Sequence, residues 1–159
     1  MRKEILICRH AQAEDHRDAD HDYKRELAPI GEAQMKSVSR FIKNRKIRVT
    51  KIYSSELVRA RQSAEILRSA LNLDKVSVCR WLNINSDPKI AALNMLKATD
   101  GEVPLFIGHN PDLSATISRI LRSPVGAIRL RKGSLVRIVQ QRNGDGFRLD
   151  FSIPVALMN

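Results

Sequence analysis

Ile5, Leu6, Ile7 and Cys8 form an unbroken apolar run that gives way at once to Arg9, His10, Ala11 and Gln12. A run of this length between polar residues reads as a strand buried on both faces, the kind found inside a parallel sheet. Further apolar stretches predict strands over 49–53, 74–79 and 103–107. Between them the period changes to that of helices. Met35, Val38 and Ile42 share one stripe with Lys36, Arg40 and Lys43 facing away, in a helix ending near Arg45. Leu57, Ala60, Ala64, Leu67 and Leu71 mark a second, with Ser54-Ser55 as its cap. A third opens at Asp87-Pro88 with Ile90, Leu93 and Leu96 as the expected buried stripe, and Asp100-Gly101 signals its end. Asn110 as cap and Pro111 at the first position open a fourth, with Leu113, Ile117 and Leu121 inward. From Ile128 the pattern alternates. Residues 134–139 and 147–151, joined by Asn143-Gly144-Asp145-Gly146, predict a β-hairpin.

Strands alternating with helices indicate an α/β fold: a three-layer sandwich with a mostly parallel central sheet flanked by helices, plus a C-terminal β-hairpin. At 159 residues, with no repeat or linker, a single domain over 1–159 is expected. Aromatic residues are only 4%, so the core has to be built from aliphatic side chains and Met. Cys8 and Cys79 read as small buried thiols in a reducing compartment. Neither opens a Cys-x5-Arg phosphatase loop, because position 14 is Glu and position 85 is Asn. The first apolar run is too short for a signal peptide or a membrane span, and a cytoplasmic protein is expected.

The polar stretch 14–22 carries His16, His21, Asp15, Asp18, Asp20 and Asp22. It could hold a divalent metal, and Asp18-Ala19-Asp20 superficially resembles an aspartyl-phosphate nucleophile, but no strand leads into it. A solvated loop is the better reading, and no metal is expected.

The 28 Lys and Arg against 17 Asp and Glu leave a net charge of +11, which draws in anionic partners without choosing among them. Arg129, Arg131, Lys132, Arg137, Arg142 and Arg148 near the hairpin motivate a nucleic-acid-binding reading. Against it stand one Trp, two Tyr and four Phe, few platforms for base stacking, and no helix-turn-helix, zinc or RNP signature. A solvated basic face and no specific nucleic acid are expected.

The carboxyl ends of strands are where open α/β sheets bind ligands. Arg9 and His10 leave the first strand, and His109 leaves the fourth. Arg59 lies about 200° round the helix from Leu57, off the core side and in the first turn, near the same rim. Two imidazoles and two guanidiniums converging there suit an anion. Leu6-Ile7-Cys8-Arg9-His10, Tyr53-Ser54-Ser55 with Arg59-Ala60-Arg61-Gln62-Ser63-Ala64, and Gly108-His109-Asn110-Pro111 together resemble a histidine phosphatase, of the superfamily that contains the phosphoglycerate mutases. The short length and the Arg25-Glu26-Leu27 with Gly31 pattern are similar to the SixA branch, the phosphohistidine phosphatases.

The resemblance implies a hydrolase that removes phosphate from a phosphohistidine protein through a phosphohistidine intermediate on His10. Arg9 and Arg59 would grip the phosphoryl oxygens, and His109 would donate to them. A backbone carbonyl would hold the other His10 ring nitrogen. Arg25, Gly108 and Asn110 are further substrate-binding candidates, with no metal or cofactor, no membrane and a monomer expected. Two positions depart from the superfamily: Ala11 stands where Gly is usual, and 81–88 contains no Glu for a proton donor. Asp87 reads as a helix cap. A phosphoramidate leaving as imidazole needs that proton less than an alkoxide does. The alternatives are a small-molecule phosphomonoester phosphatase of the same fold and a basic nucleic-acid-binding protein.

Overall fold

The computed structural model describes residues 1–15 and 19–158. In chain order the elements are β1 (Glu4–Arg9), α1 (Pro29–Asn44), β2 (Lys51–Ser54), α2 (Val58–Ala70), β3 (Val76–Val78), α3 (Pro88–Lys97), β4 (Pro104–Gly108), α4 (Asp112–Leu121), β5 (Leu135–Gln140) and β6 (Phe147–Ile153). Short 3-10 turns span Ala19–Lys24, Arg80–Leu82 and Val155–Leu157. The sheet order is β3-β2-β4-β1-β5-β6. The first four strands of that order pair in parallel, and β5 runs antiparallel to both β1 and β6. This is the expected α/β sandwich with its terminal hairpin. No helix among the described residues is long and apolar enough to cross a membrane.

The β1 run is continuous because both faces of the sheet are covered. Leu6 and Cys8 enter one core with Met35, Val38 and Ile42 of α1 and Ala60, Ala64 and Leu67 of α2. Ile5 and Ile7 enter a second core with Met95 of α3 and Leu113, Ile117 and Ile120 of α4. Cys8 is buried and its thiol pKa is pushed up to about 12, so it packs as a small apolar side chain and stays protonated.

Three local expectations are corrected. In α3 the buried residues are Ala91, Ala92 and Met95, while Ile90 and Leu93 are half exposed and Leu96 packs only at the edge. The apolar arc of this helix is wider than one stripe, so periodicity cannot choose its inner side. Close packing against the sheet and α4 favours the face with two alanines. In α4, Ile120 is buried and Leu121 is partly so. The cap positions also shift. Pro111 holds that of α4, but Asn110 Oδ1 still accepts the Ser114 N–H at 3.3 Å from one residue earlier. Leu57 holds that of α2, with the Ser55 hydroxyl two residues earlier accepting its N–H. Asp87 caps α3 as expected, accepting the Lys89 N–H.

The chain leaving β1 is held against α1 and α2. Ala11 N donates to Ser63 Oγ at 3.2 Å and Gln12 N to Gln34 Oε1 at 2.9 Å. The Gln12 carbonyl accepts from Ala28 N at 3.0 Å. Gly31, in the first turn of α1, faces that same carbonyl so closely that a Cβ there would overlap the Gln12 oxygen. Because the obstructing atom is backbone, it cannot rotate away.

Backbone overlap this severe should cost about 3 kcal/mol, the upper end of the usual overpacking range, so Gly31→Ala should destabilise the chain by about 2 kcal/mol net. The overlap is offset only by the ~1 kcal/mol that alanine gains over glycine in a helix interior. Urea unfolding of the two proteins measures the difference, and equal or greater stability in the variant would refute the close packing.

Candidate anion-binding site

Parallel register brings three strand exits to one rim: Arg9 of β1 lies opposite Gly108 of β4, and Ser54 of β2 opposite Ile107. The residues that follow are His10, His109 and Ser55. His10 and His109 are 4% and 2% exposed, with ring centroids 5.0 Å apart. Arg59 is equally buried, and its Nε lies 3.4 Å from His10 Nε2. Its position off the Leu57 side turns it towards this rim and away from solvent.

The His10 tautomer follows from its partners. Nδ1 lies 2.7 Å from the carbonyl oxygen of Ala11, which can only accept, so Nδ1 carries the proton. Nε2 then presents a lone pair to Arg59. Burial lowers the His10 pKa to about 3, reinforced by His109, Arg59 and Arg9 against the opposing pull of the Ala11 hydrogen bond. His109 is lowered to about 3 by burial and then by Arg59, Arg9 and Arg25. Both imidazoles are neutral at ordinary pH.

His109 Nε2 lies 2.6 Å from Ser55 Oγ, which also accepts the Leu57 N–H at 3.2 Å. The serine thus orients the imidazole and supports the start of α2 together. His109 Nδ1 has no protein partner, nor do the Nε atoms of Arg9 and Arg25. Among the described residues only four buried side-chain nitrogens or oxygens are unpaired, and three of them belong to this cluster. Buried polar atoms are normally paired, so this concentration points to a ligand.

The guanidiniums are held mainly by backbone oxygens. Arg9 Nη1 donates to Leu130 O at 2.9 Å, and Arg59 Nη1 to Asp22 O at 2.7 Å. Arg25 Nη1 reaches Glu14 O at 3.4 Å. The Asp22 carboxylate sits between Arg59 and Arg25, 3.3 Å from each. Asn110 Nδ2 donates to the Leu130 carbonyl that also holds Arg9, at 3.3 Å, so it supports the arginine's anchor. Gly108 is buried, and its carbonyl accepts the His10 N–H at 3.1 Å.

All seven candidates read from the sequence thus lie at or directly behind one rim. Four contributors were not singled out. In the sequence Ser55 reads as a cap, and Asp22 as part of a solvated loop. Residues 16–18 of that loop lie outside the described residues, but 19–24 form a 3-10 turn that carries Asp22 to Arg59. Ser63 ties Ala11 to Arg59, accepting from one N–H and donating to the other's carbonyl at 2.8 Å. Lys132 reads as one of a basic face; it lies beside Gln12 in this cluster. Its companion Arg137 is paired instead with Glu4 and Asp150.

Free carboxylic acids are scarce here. Asparagine and arginine contacts, from Asn83 and Arg80, hold Glu56 below the usual carboxylate range. Asp112 shares a crevice of about 10 Å³ with His109 and accepts the Asn85 N–H, with its pKa raised by burial. No group of His, Cys, Asp and Glu among the described residues could hold a metal ion. A groove of about 600 Å³ lies away from the cluster, between α2 and β3.

The depressed histidine pKa values couple to stability. Below the ordinary histidine pKa of ~6.5 the unfolded chain binds protons that the folded chain refuses, so stability falls with pH from there towards 3. At pH 5 the loss relative to pH 7 should be on the order of 2 kcal/mol for each histidine. Imidazole nitrogen NMR should find His10 as the neutral Nδ1–H form at pH 5, where an exposed histidine is about 97% charged. A charged His10 at that pH would refute the assignment.

The family model of the histidine phosphatase superfamily (branch 1) matches residues 5–85, about half of the chain. An uncharacterized protein of Picosynechococcus sp. is 29% identical over 136 residues, covering 84% of this chain and 82% of its own length. Among solved structures, the protein histidine phosphatase SixA complexed with tungstate superimposes with a TM-score of 0.86 at 19% identity, covering 98% of this chain and 99% of that one. A phosphoserine phosphatase mutant from Entamoeba histolytica, in complex with phosphoserine, gives 0.73 at 15% identity, covering 96% and 97%. The chain belongs to branch 1 of the histidine phosphatase superfamily and has the fold of its SixA-type members.

Proposed function

We propose that this chain removes the phosphoryl group from phosphohistidine in a protein by double displacement at His10. The observation that carries the reading is the His10 ring: neutral, fixed by Ala11 O through Nδ1, with its Nε2 lone pair among arginines. A neutral imidazole needs no base to become a nucleophile. Nε2 attacks phosphorus as the bond from phosphorus to the substrate's imidazole nitrogen breaks. Water then attacks the phosphoenzyme, the His10–phosphorus bond breaks, and inorganic phosphate takes up the water's proton.

Arg9 and Arg59 take the phosphoryl oxygens. Their planar forks match that geometry, and phosphoryl transfer is governed by such positioning and charge stabilisation. His109, fixed by Ser55, offers its unpaired Nδ1 side to the same group. Where Nδ1 carries the proton, Ser55 donates to Nε2 and His109 donates to phosphate. Arg25 lies behind Asp22 at the entrance.

The carboxylates favour phosphohistidine over an ester. A phosphohistidine protonated on its distal nitrogen departs as neutral imidazole with no proton needed at the breaking bond. An alkoxide needs one delivered. Asp22 is engaged by two arginines and Glu56 is held ionised. Asp112, with its raised pKa beside His109, favours a second reading, a phosphomonoester phosphatase with Asp112 as acid. The complex of a like-folded phosphatase with phosphoserine fits that reading too.

Incubation with a phosphohistidine peptide and with a phosphoserine peptide, whose leaving group is an alkoxide, separates them. The native chain should release phosphate rapidly from the first and at least ~100-fold more slowly from the second, the scale of a general-acid contribution. His10→Ala should release none. Fast ester hydrolysis that Asp112→Asn abolishes would replace this reading with the second, and turnover surviving in His10→Ala would remove the nucleophile.

A further inference from the structure

We infer that Lys132 is a third phosphoryl-binding cation of the site, holding the substrate's anionic group beside Arg9 and Arg59. Its place comes from the loop entering β5, which is laced to the end of β1. Arg9 N donates to Ser134 O at 3.2 Å, and Gly133 N donates to Arg9 O at 3.0 Å and His10 O at 3.3 Å. Gly133 has φ +77, which glycine adopts without strain and which lets the chain fold back onto His10. The residue before it therefore projects at the residues that follow His10.

Lys132 Nζ there donates to Gln12 Oε1 at 3.2 Å. The amide is oriented to receive it, since Gln12 Nε2 donates to Ala13 O at 3.3 Å and leaves Oε1 towards the lysine. Gln12 is itself fixed through its backbone by Gln34 and Ala28. Burial lowers the Lys132 pKa, and so do the positive charges of Arg9, Arg25 and Arg59, with Asp15 opposing.

The contact is unusual in what it lacks. A partly buried ammonium that feels three guanidiniums gains little from a neutral amide oxygen. Packing alone would be served as well by an uncharged side chain. A dianion bound between Arg9, Arg59 and His10 removes the repulsion that crowds Lys132, and it offers a charged acceptor in place of a neutral one. The ammonium sits on a flexible stem and can leave Gln12 for phosphate oxygen without backbone movement. Lys132 contributes to binding the group that moves, and the arginines and histidines carry the transfer.

The inference rests on the phosphatase reading, and the test keeps the two apart by measuring binding without turnover. The dissociation constant for inorganic phosphate is measured by calorimetry for the full chain, Lys132→Met and Lys132→Arg, alongside KM and kcat for a phosphohistidine peptide. Loss of one charge-assisted hydrogen bond should weaken phosphate binding by about tenfold or more in Lys132→Met. KM should rise in parallel while kcat changes less than about threefold, the signature of uniform binding. Lys132→Arg should recover most of the affinity.

Unchanged phosphate affinity in Lys132→Met overturns the inference, and so does a loss that arginine does not recover. If Lys132→Met fails to fold, Gln12→Leu decides. It removes the resting acceptor and keeps the ammonium, so phosphate affinity that is kept or increased supports the inference, and a tenfold loss overturns it. Phosphate binding that responds to Lys132, in a chain inactive on phosphohistidine, would defeat the function and leave the contact standing.

Discussion

The site depends on keeping positive charge buried without neutralising it. Arg9, Arg25, Arg59 and Lys132 converge on two imidazoles, and each rests on an uncharged oxygen: Leu130 O, Glu14 O, Asp22 O and Gln12 Oε1. Among the described residues the Asp22 carboxylate alone is ion-paired with them, and it reaches two arginines. Carbonyls satisfy the hydrogen-bonding needs of a cation while leaving its charge available, so the field remains for an anion. The same field, added to burial, explains why both histidines are neutral: a proton on either would be one more charge among cations. The cations that attract the substrate thus also reinforce the neutrality that burial imposes on the nucleophile.

Such a cluster repels itself, and the fold has to hold it. Three parallel strands end at one level, which sets the spacing of His10, His109 and Ser55 through backbone hydrogen bonds alone. Behind them Ser63 links the chain after His10 to the α2 residue that carries Arg59, and Gln62 takes the Leu27 N–H at 2.7 Å. The absence of a side chain at Gly31 lets α1 press on the Gln12 backbone. These supports are neutral and at least partly buried, so salt and pH disturb them less than they would ion pairs.

What could be read from the sequence follows from how each residue reaches the rim. Arg9, His10 and His109 are legible because an apolar run fixes where a strand ends, and the next residue must lie at its exit. Arg59 is legible as an angle on a helix, though its burial is not, since a charged residue off the core side ordinarily meets water. Ser55 is hidden because a serine at a strand-to-helix junction reads equally well as a cap, and here it serves Leu57 and His109 at once. Asp22 and Lys132 arrive by loops, and no local pattern reports a contact between residues 12 and 132. The α3 stripe failed for a related reason. Two apolar faces were available, and the choice belonged to the surface it packs on.

On the proposed mechanism, the arrangement also orders the two displacements. Attack needs a neutral His10, and burial supplies it by holding the ring's pKa down, with His109 and the cations adding to the effect. Once phosphorylated, His10 carries a dianion among those cations, which stabilises the intermediate and works against the departure of phosphate from it. A protonated phosphoimidazole is the better leaving group for water's attack. The hydrogen bond from Nδ1 to Ala11 O meets this need, because it keeps the proton on the nitrogen away from phosphorus throughout. His10 therefore leaves as the neutral imidazole it began as, and the cycle closes with no carboxylic acid acting on it.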